Sequence, residues 1–338
     1  MASSAALSSP SRGKIDQPLQ CAILLLLATV AIYNFVRRDP TAFEWPGIDM
    51  GCYFERQDDP AFLSGDYFTN SVSQPNPRHV FGSFVLGLAW ILGTDWYGAF
   101  FALRCALTVA MPTLWYLALW GMLKPRLKSE QARLVAQVGI GLAIVLVMRR
   151  DVQAWFSIAW WSPYQLYVGA QPVSQAACLL AIVLRTWSRP WGSWLSFPTW
   201  FVASMIHPPM PLFMVTFYCL WMFDWRRGRE LPADLACAVV LPFSLLWALY
   251  RPTSPLPAAE FIYYYAHVVH PFHYVVSEFE TLTRHGWWVS FTMIVAMLSA
   301  SMGVAAINKN WRLTRSSGLF LLAYAGCVWL QYLGTEAW

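Results

Sequence analysis

The sequence WPGIDMGCYFERQDDPAFLSGDYFTN, residues 45–70, decides how the rest of the chain is interpreted. It carries five carboxylates, and a sixth, Glu44, comes directly before it. An 18-residue apolar run, LQCAILLLLATVAIYNFV at 19–36, precedes it, and many more apolar runs follow. Carboxylates gathered between apolar runs are typical of a polar loop beside a bilayer. We therefore predict that 45–70 belongs to the first extracytoplasmic loop of a protein that crosses a membrane several times.

The composition also favours a membrane protein. Apolar residues make up 57% of the 338 residues and charged residues only 12%, whereas soluble domains carry roughly 25% charged residues. The net charge is only +5, and Lys and Arg cluster at the ends of apolar runs. This pattern lacks the basic stripe of a nucleic-acid-binding protein. Six of the seven cysteines lie in apolar runs, and no Cys-x-x-Cys or Cys/His spacing indicates a zinc site.

The apolar runs predict an all-α, polytopic transmembrane helix bundle with about nine spans. Residues 80–92 are too short to span comfortably, so we interpret them as an interfacial or re-entrant helix. We expect a disordered cytoplasmic N-terminus at 1–17 and a single transmembrane domain at 18–338, with outer loops at 39–78 and 251–285. The predicted spans are 19–36, 96–123, 136–148, 172–184, 194–206, 210–223, 235–250, 287–306 and 318–333.

The distribution of Lys and Arg predicts the orientation. The segments 124–133, 185–190, 224–234 and 307–316 are all cationic, and short cationic connections remain in the cytoplasm. The chain is thus predicted to lie in the cytoplasmic (inner) membrane with its N-terminus inside and its acidic loop outside. If 80–92 were counted as a span, the predicted orientation of every later span and loop would be inverted.

Four carboxylates of the first loop are candidate catalytic residues: Asp49, Asp58, Asp59 and Asp66. A carboxylate can act as a general base on a hydroxyl, and two together could hold a divalent cation. The alternative is a solvated loop in which Asp-Pro and Ser-Gly-Asp form turns. No metal site is assigned. Asp58 and Asp59 are preferred because the following Pro60 restricts the backbone.

Two arginines on the predicted outer side are candidate substrate-binding residues. Arg149 and Arg150 end an apolar run there, against the charge rule, and guanidinium groups bind phosphate bidentately. The alternative is an ordinary pair with Asp151 and contact with lipid headgroups. Arg104 falls inside a predicted span, so it should face protein or a polar cavity.

Histidines also concentrate on the predicted outer side. His207 precedes Pro208 at a helix corner, where a purely structural break is the alternative. In the stretch 263–278, His270, His273 and Glu278 are candidate contacts for sugar or phosphate. Histidines every three residues could also hold a metal on a helix, but Pro271 interrupts such a helix.

This pattern resembles the GT-C glycosyltransferase superfamily, and in particular bacterial GT-C-like membrane proteins. The resemblance covers roughly residues 19–335 and is carried by RQDDPAFLSGDYF at 56–68, MIHPP at 205–209 and HPFHYVVSEF at 270–279. It implies transfer of a sugar from a polyprenyl-phosphate donor outside the membrane, with an essential acid in the first outer loop. It does not choose among the four aspartates, and about nine spans are fewer than the family usually has.

Three functions therefore remain open. The first is an inverting sugar transferase that uses a polyprenyl-phosphate-linked substrate and contacts membrane lipid. The second is a non-catalytic GT-C-like subunit with membrane protein partners. The third is a transporter or channel, which the scarcity of ionisable residues within the predicted spans disfavours.

Overall fold

A computed structural model describes residues 16–37, 45–63, 77–127, 129–148, 169–187, 191–212, 214, 218, 239–240, 242–244, 246, 260, 286–307 and 309–336. Of these residues, 91% are helical and none is in a strand. The predicted all-α class is therefore confirmed for this part of the chain.

The helices follow the apolar runs with shifted ends. They are α1 (Asp16–Arg37), α2 (Trp45–Asp58), α3 (Pro77–Leu92), α4 (Trp96–Leu123), α5 (Glu130–Val147), α6 (Ala170–Trp187), α7 (Trp191–Ile206), α8 (Gly286–Ile307) and α9 (Trp311–Glu336). A 3₁₀ turn, Lys124–Arg126, follows α4.

Three helices within the described residues are long and apolar enough to cross a membrane. They are Gln17–Arg37, Trp96–Arg126 and Glu130–Val147, each close to or above the roughly 20 residues that a span needs. Shorter apolar helices cover His79–Leu92, Trp194–Ile206 and Leu298–Ile307. These helices fit the predicted membrane protein, while the count of nine spans stays a prediction because several of its segments lie outside the described residues.

The central element is α4, which contacts α1, α3, α5 and α6. Phe35 near the end of α1 lies against Phe101 near the start of α4, with 6.4 Å between ring centroids. Ile23, in the first half of α1, packs with Tyr116 and Trp120 in the second half of α4. Helices α1 and α4 are therefore antiparallel.

Helices α4 and α6 run in the same direction. The Trp187 indole at the end of α6 donates a hydrogen bond to the Leu117 carbonyl of α4 over 3.0 Å. Gly121 permits this approach, because a Cβ there would meet the side chains of Thr186 and Trp187. Helix α7 returns antiparallel to α6, since Ser174 near the start of α6 donates a hydrogen bond to the Ala203 carbonyl near the end of α7.

These directions define two ends of the bundle. At the basic end lie the end of α4, the start of α5 and the end of α6, with Lys124, Arg126, Arg133 and Arg185. At the acidic end lie the start of α4, the end of α7 and helix α2, with Glu55, Asp58, Asp59 and Asp95. The described parts of two segments predicted to share the cytoplasmic side, 124–127 with 129–133 and 185–187, thus approach the same end. Which side of a membrane that end faces stays a prediction.

Helices α2 and α3 pack together against the start of α4. Phe54 of α2 stacks on Trp96 with centroids 5.0 Å apart, while its neighbour Tyr53 contacts His79 of α3 at 5.4 Å. The start of α3 and the start of α4 therefore lie beside the same turn of α2. Helix α3 thus does not run the length of the bundle, although its predicted interfacial position in a membrane stays a prediction.

Two sequence-based boundaries need correction. The segment predicted as a loop at 45–70 begins with helix α2, because Met50, Tyr53 and Phe54 repeat at helical spacing and bury one face. Helix α5 starts at Glu130 rather than at 134–136, because the Ser129 hydroxyl accepts a hydrogen bond from the Ala132 amide and caps the helix.

The α8–α9 hairpin agrees with the predicted runs at 287–306 and 318–333, although α9 begins earlier, at Trp311. Its connection turns at Lys309, whose φ of 53° is in the left-handed region. The two helices contact each other.

Candidate functional site

Exposed carboxylates at the end of α2 form an accessible polar group at the acidic end. Glu55, Asp58 and Asp59 are all exposed. The Asp59 Oδ1 accepts a hydrogen bond of 2.9 Å from the Ala61 amide, which forms the Asp-Pro turn expected from the sequence. Asp58 is the last residue of α2. The two neighbours therefore differ, since one carboxylate shapes the turn and the other ends the helix.

The four predicted catalytic aspartates do not all come together. Asp49 lies within α2, nine residues before Asp58, so about 14 Å of helix axis separates the two Cα atoms. Asp66 lies outside the described residues.

His207 is at the predicted helix break and at the acidic end. Helix α7 ends at Ile206, and the backbone bends at His207-Pro208 before a helical turn resumes at 209. The Ser174 hydroxyl lies 3.3 Å from the His207 carbonyl oxygen, which ties the corner to the start of α6. His207 is half-buried with its Nδ1 inside the protein. The predicted break is therefore confirmed, while its substrate contact stays a prediction.

The other predicted binding residues lie outside the described residues: Arg149, Arg150, His270, His273 and Glu278. Helix α5 ends at Val147, and Met148, which caps it, is buried in the core of α1, α4 and α5. Since α5 starts at the basic end, the chain leaves α5 at the acidic end. This direction fits the predicted place of the two arginines on the outer side, which stays a prediction.

A cluster of Tyr53, His79 and Ser83 joins α2 to α3 beside these carboxylates. The Tyr53 hydroxyl and the Ser83 hydroxyl are 3.3 Å apart, and the His79 ring meets the Tyr53 ring edge-on. Sequence reasoning missed this cluster. Its signal was present, because His79 and Ser83 are polar residues one helical turn apart on a helix that is otherwise apolar after Arg78.

A second missed group lies at the start of α6. Gln171, Ser174 and Gln175 share one helix face, and Ser174 and Gln175 are completely buried. This face reaches the His207 corner through the bonds of Ser174 to α7. Amides and hydroxyls buried in an apolar bundle stabilise helix pairs and also suit polar ligands.

Arg104 faces protein, as predicted for a charge within a span. Its guanidinium carbon lies 5.7 Å from the centroid of the Phe35 ring of α1, a cation–π distance. Within the described part of the chain, no three His, Cys, Asp or Glu side chains are close enough to hold a metal ion.

Comparisons of the chain with models of protein families, with curated proteins and with solved structures found no match. The resemblance to the GT-C superfamily therefore stays a hypothesis.

Proposed function

We propose that the chain is a GT-C-like glycosyltransferase of the cytoplasmic membrane that transfers a sugar from a polyprenyl-phosphate donor at its acidic end. The supporting observation is that exposed carboxylates at the end of α2 lie at the same end of the bundle as the polar His207 corner. In this proposal the acidic end faces the extracytoplasmic side, where the donor's headgroup lies.

The proposed reaction needs one base and one site for the leaving phosphate. One of the four candidate aspartates takes the proton of an acceptor hydroxyl, whose oxygen forms a bond to the anomeric carbon of the sugar. The bond from that carbon to the phosphate oxygen breaks, and the polyprenyl phosphate leaves with the bonding electrons. Arg149 and Arg150 are proposed to stabilise its charge.

Asp58 is the preferred base. Asp59 already uses Oδ1 to hold the Ala61 amide, so it is better suited to shaping the turn. Asp58 is exposed at the end of α2, where an acceptor could reach it. The roles of Asp49 and Asp66 remain alternatives within the same proposal.

The first test is sugar transfer by Asp58→Asn in membranes supplied with polyprenyl-linked sugars. Loss of a general base should lower turnover by about 10²–10⁴-fold with folding intact, because Asn keeps the shape of the side chain. Asp59→Asn should lose less, since its amide oxygen can still accept the Ala61 N–H. Glu55→Gln is the matched control, an exposed carboxylate one turn earlier. Wild-type activity in the Asn variants of all four aspartates would refute the catalytic role of this segment.

The second candidate is a non-catalytic subunit of a larger membrane complex. The observation favouring it is an exposed apolar corner between α3 and α4, where Trp90 is 85% exposed and Ile91 72% exposed. Such a patch suits a protein partner as well as lipid. Absence of transfer by the wild-type chain, together with loss of a co-purifying membrane protein on Trp90→Ser, would favour this candidate over the enzyme.

A further inference from the structure

Helix α2, which carries the preferred base Asp58, depends on its neighbours for its position. It has 14 residues, and an isolated helix of this length is only marginally stable. Among its residues with described side chains, Met50, Tyr53 and Phe54 are buried. The contacts of these buried side chains therefore hold α2 on the bundle.

Two neighbouring residues attach α2 to two different helices. The Tyr53 hydroxyl lies 3.3 Å from the Ser83 hydroxyl of α3. The Phe54 ring, which is 1% exposed, stacks on the Trp96 ring of α4 with centroids 5.0 Å and planes 19° apart. Phe54 also meets Phe100 edge-on at 5.6 Å. Because neighbouring side chains of a helix point about 100° apart, the two contacts fix the rotation of α2 as well as its place.

One regular helical turn connects Phe54 to Asp58. The two residues are four apart, so they share a face of α2, with Cβ atoms about 5–6 Å apart. The Asp59 amide donates a hydrogen bond of 2.8 Å to the Glu55 carbonyl, which closes this last turn. Phe54 is buried and Asp58 is exposed, so the shared face passes from the core to solvent within one turn. A shift of Phe54 on Trp96 is therefore passed on to Asp58.

We propose that Phe54 is a positioning residue for Asp58, and that its stack on Trp96 holds the Asp58 carboxylate beside the start of α4. The inference rests on the proposed function, in which Asp58 is the base. A general base must lie within hydrogen-bond reach of the hydroxyl that it deprotonates, and a displacement of about 1 Å can lower a rate about 10²-fold. The stacked ring gives the short helix α2 the required precision.

The position of α2 is tested first, by a measurement that needs no activity. Spin labels on Ala61→Cys and Thr94→Cys, in a cysteine-free background of the full chain, report the distance between the end of α2 and the start of α4 by electron paramagnetic resonance. The distribution of distances should be narrow with Phe54 present and should broaden or shift in Phe54→Leu, which loses the planar ring. An unchanged distribution in Phe54→Leu would overturn the positioning role.

Phe81→Leu is the matched control for this measurement. Phe81 is also 1% exposed, belongs to the same core and contacts Phe100 of α4. Its substitution removes a buried ring of the same size while the stack of Phe54 on Trp96 remains. The distribution of distances should therefore stay as in the wild type, and an equal broadening in both variants would show that Phe54 acts only through the stability of the core.

The second test measures sugar transfer from a polyprenyl-linked donor by membranes that contain each variant. Phe54→Leu should lower turnover about 10²-fold and leave the KM for the donor unchanged, while Phe81→Leu keeps the turnover of the wild type. In an Asp58→Asn background, Phe54→Leu should cause little further loss, because a positioning residue acts through the base. Losses that multiply in full would overturn the inference.

Variants of Trp96 separate the stack from the fold. Trp96→Phe keeps a ring under Phe54 and should retain both the narrow distribution and the turnover, whereas Trp96→Leu should resemble Phe54→Leu. Equal behaviour of the two Trp96 variants would contradict a role for the stack. A wild-type chain without transfer would refute the proposed function, while the spin-label distances would still decide whether Phe54 positions the end of α2.

Discussion

Gly82 decides how closely α2 can approach α3. A Cβ at this position would lie 2.6 Å from the Cδ1 atom of the Tyr53 ring. The ring is 2% exposed and also packs against Phe54, so it has little room to move. We predict that Gly82→Ala lowers the stability of the chain in detergent by about 1–3 kcal/mol, the usual cost of overpacking.

Gly87 provides the control for this prediction. It lies on the same helix, and a Cβ there would meet nothing within 4 Å. Gly87→Ala should therefore leave stability unchanged or raise it slightly, because Ala favours helix. Thermal unfolding of both variants checks the pair. Equal melting temperatures for the two variants would show that the Tyr53 contact does not limit stability.

Sequence reasoning anticipated local turns and helix breaks but not the contacts between side chains of different helices. It predicted the Asp-Pro turn at Asp59 and the break at His207 because both depend on neighbours along the chain. It missed the approach of Tyr53 to His79 and Ser83, since that approach depends on how α2 docks on α3. Local patterns indicate where the chain turns, but packing between helices determines which side chains meet.

At the scale of helices, the contact between α4 and α6 depends on one hydrogen bond and one small residue. The Trp187 indole donates to the Leu117 carbonyl, and Gly121 leaves room for it. We predict that Trp187→Phe destabilises the pair by roughly 0.6–1.7 kcal/mol, the range found for hydrogen bonds between membrane helices.

The measurement is thermal unfolding in detergent, with Trp90→Phe as control. Trp90 is 85% exposed, so the same loss of an indole there should change stability little. A Trp187→Phe variant as stable as the control would mean that ring packing, rather than the hydrogen bond, maintains the contact.

Helix ends show the limit of periodicity as a guide. The apolar runs predicted α4 well, because its apolar sequence continues from Trp96 to Leu123. They missed the first turn of α5, where Glu130, Gln131 and Arg133 are polar, and the cap at Ser129 starts the helix. They also missed α2, in which only every third or fourth residue is buried. Amphipathic helices escape a search for continuous apolar runs because half of their surface is polar.

For the whole molecule, the separation of charge between two ends could be anticipated from the order of basic and acidic segments. The described helices place residues 124–127 and the end of α6 together, and α2 at the other end. The sequence alone could not settle whether α3 crosses the bundle, because its length is intermediate between a surface helix and a span. Tyr53 and Phe54 contact the starts of both α3 and α4. These contacts indicate that α3 does not run the length of the bundle.

The same contacts give a sharp prediction for topology in a membrane. Ala61, Thr94 and Ser129 are exposed, and cysteines introduced there in a cysteine-free background can be labelled from either side. Since α3 begins and ends near the start of α4, Ala61→Cys and Thr94→Cys should react from the same, extracytoplasmic side. Ser129→Cys should react only from the cytoplasmic side, because α4, which lies between positions 94 and 129, is long and apolar enough to cross a membrane. Opposite labelling of positions 61 and 94 would mean that α3 spans the bilayer, and the orientation of every later helix would then be inverted.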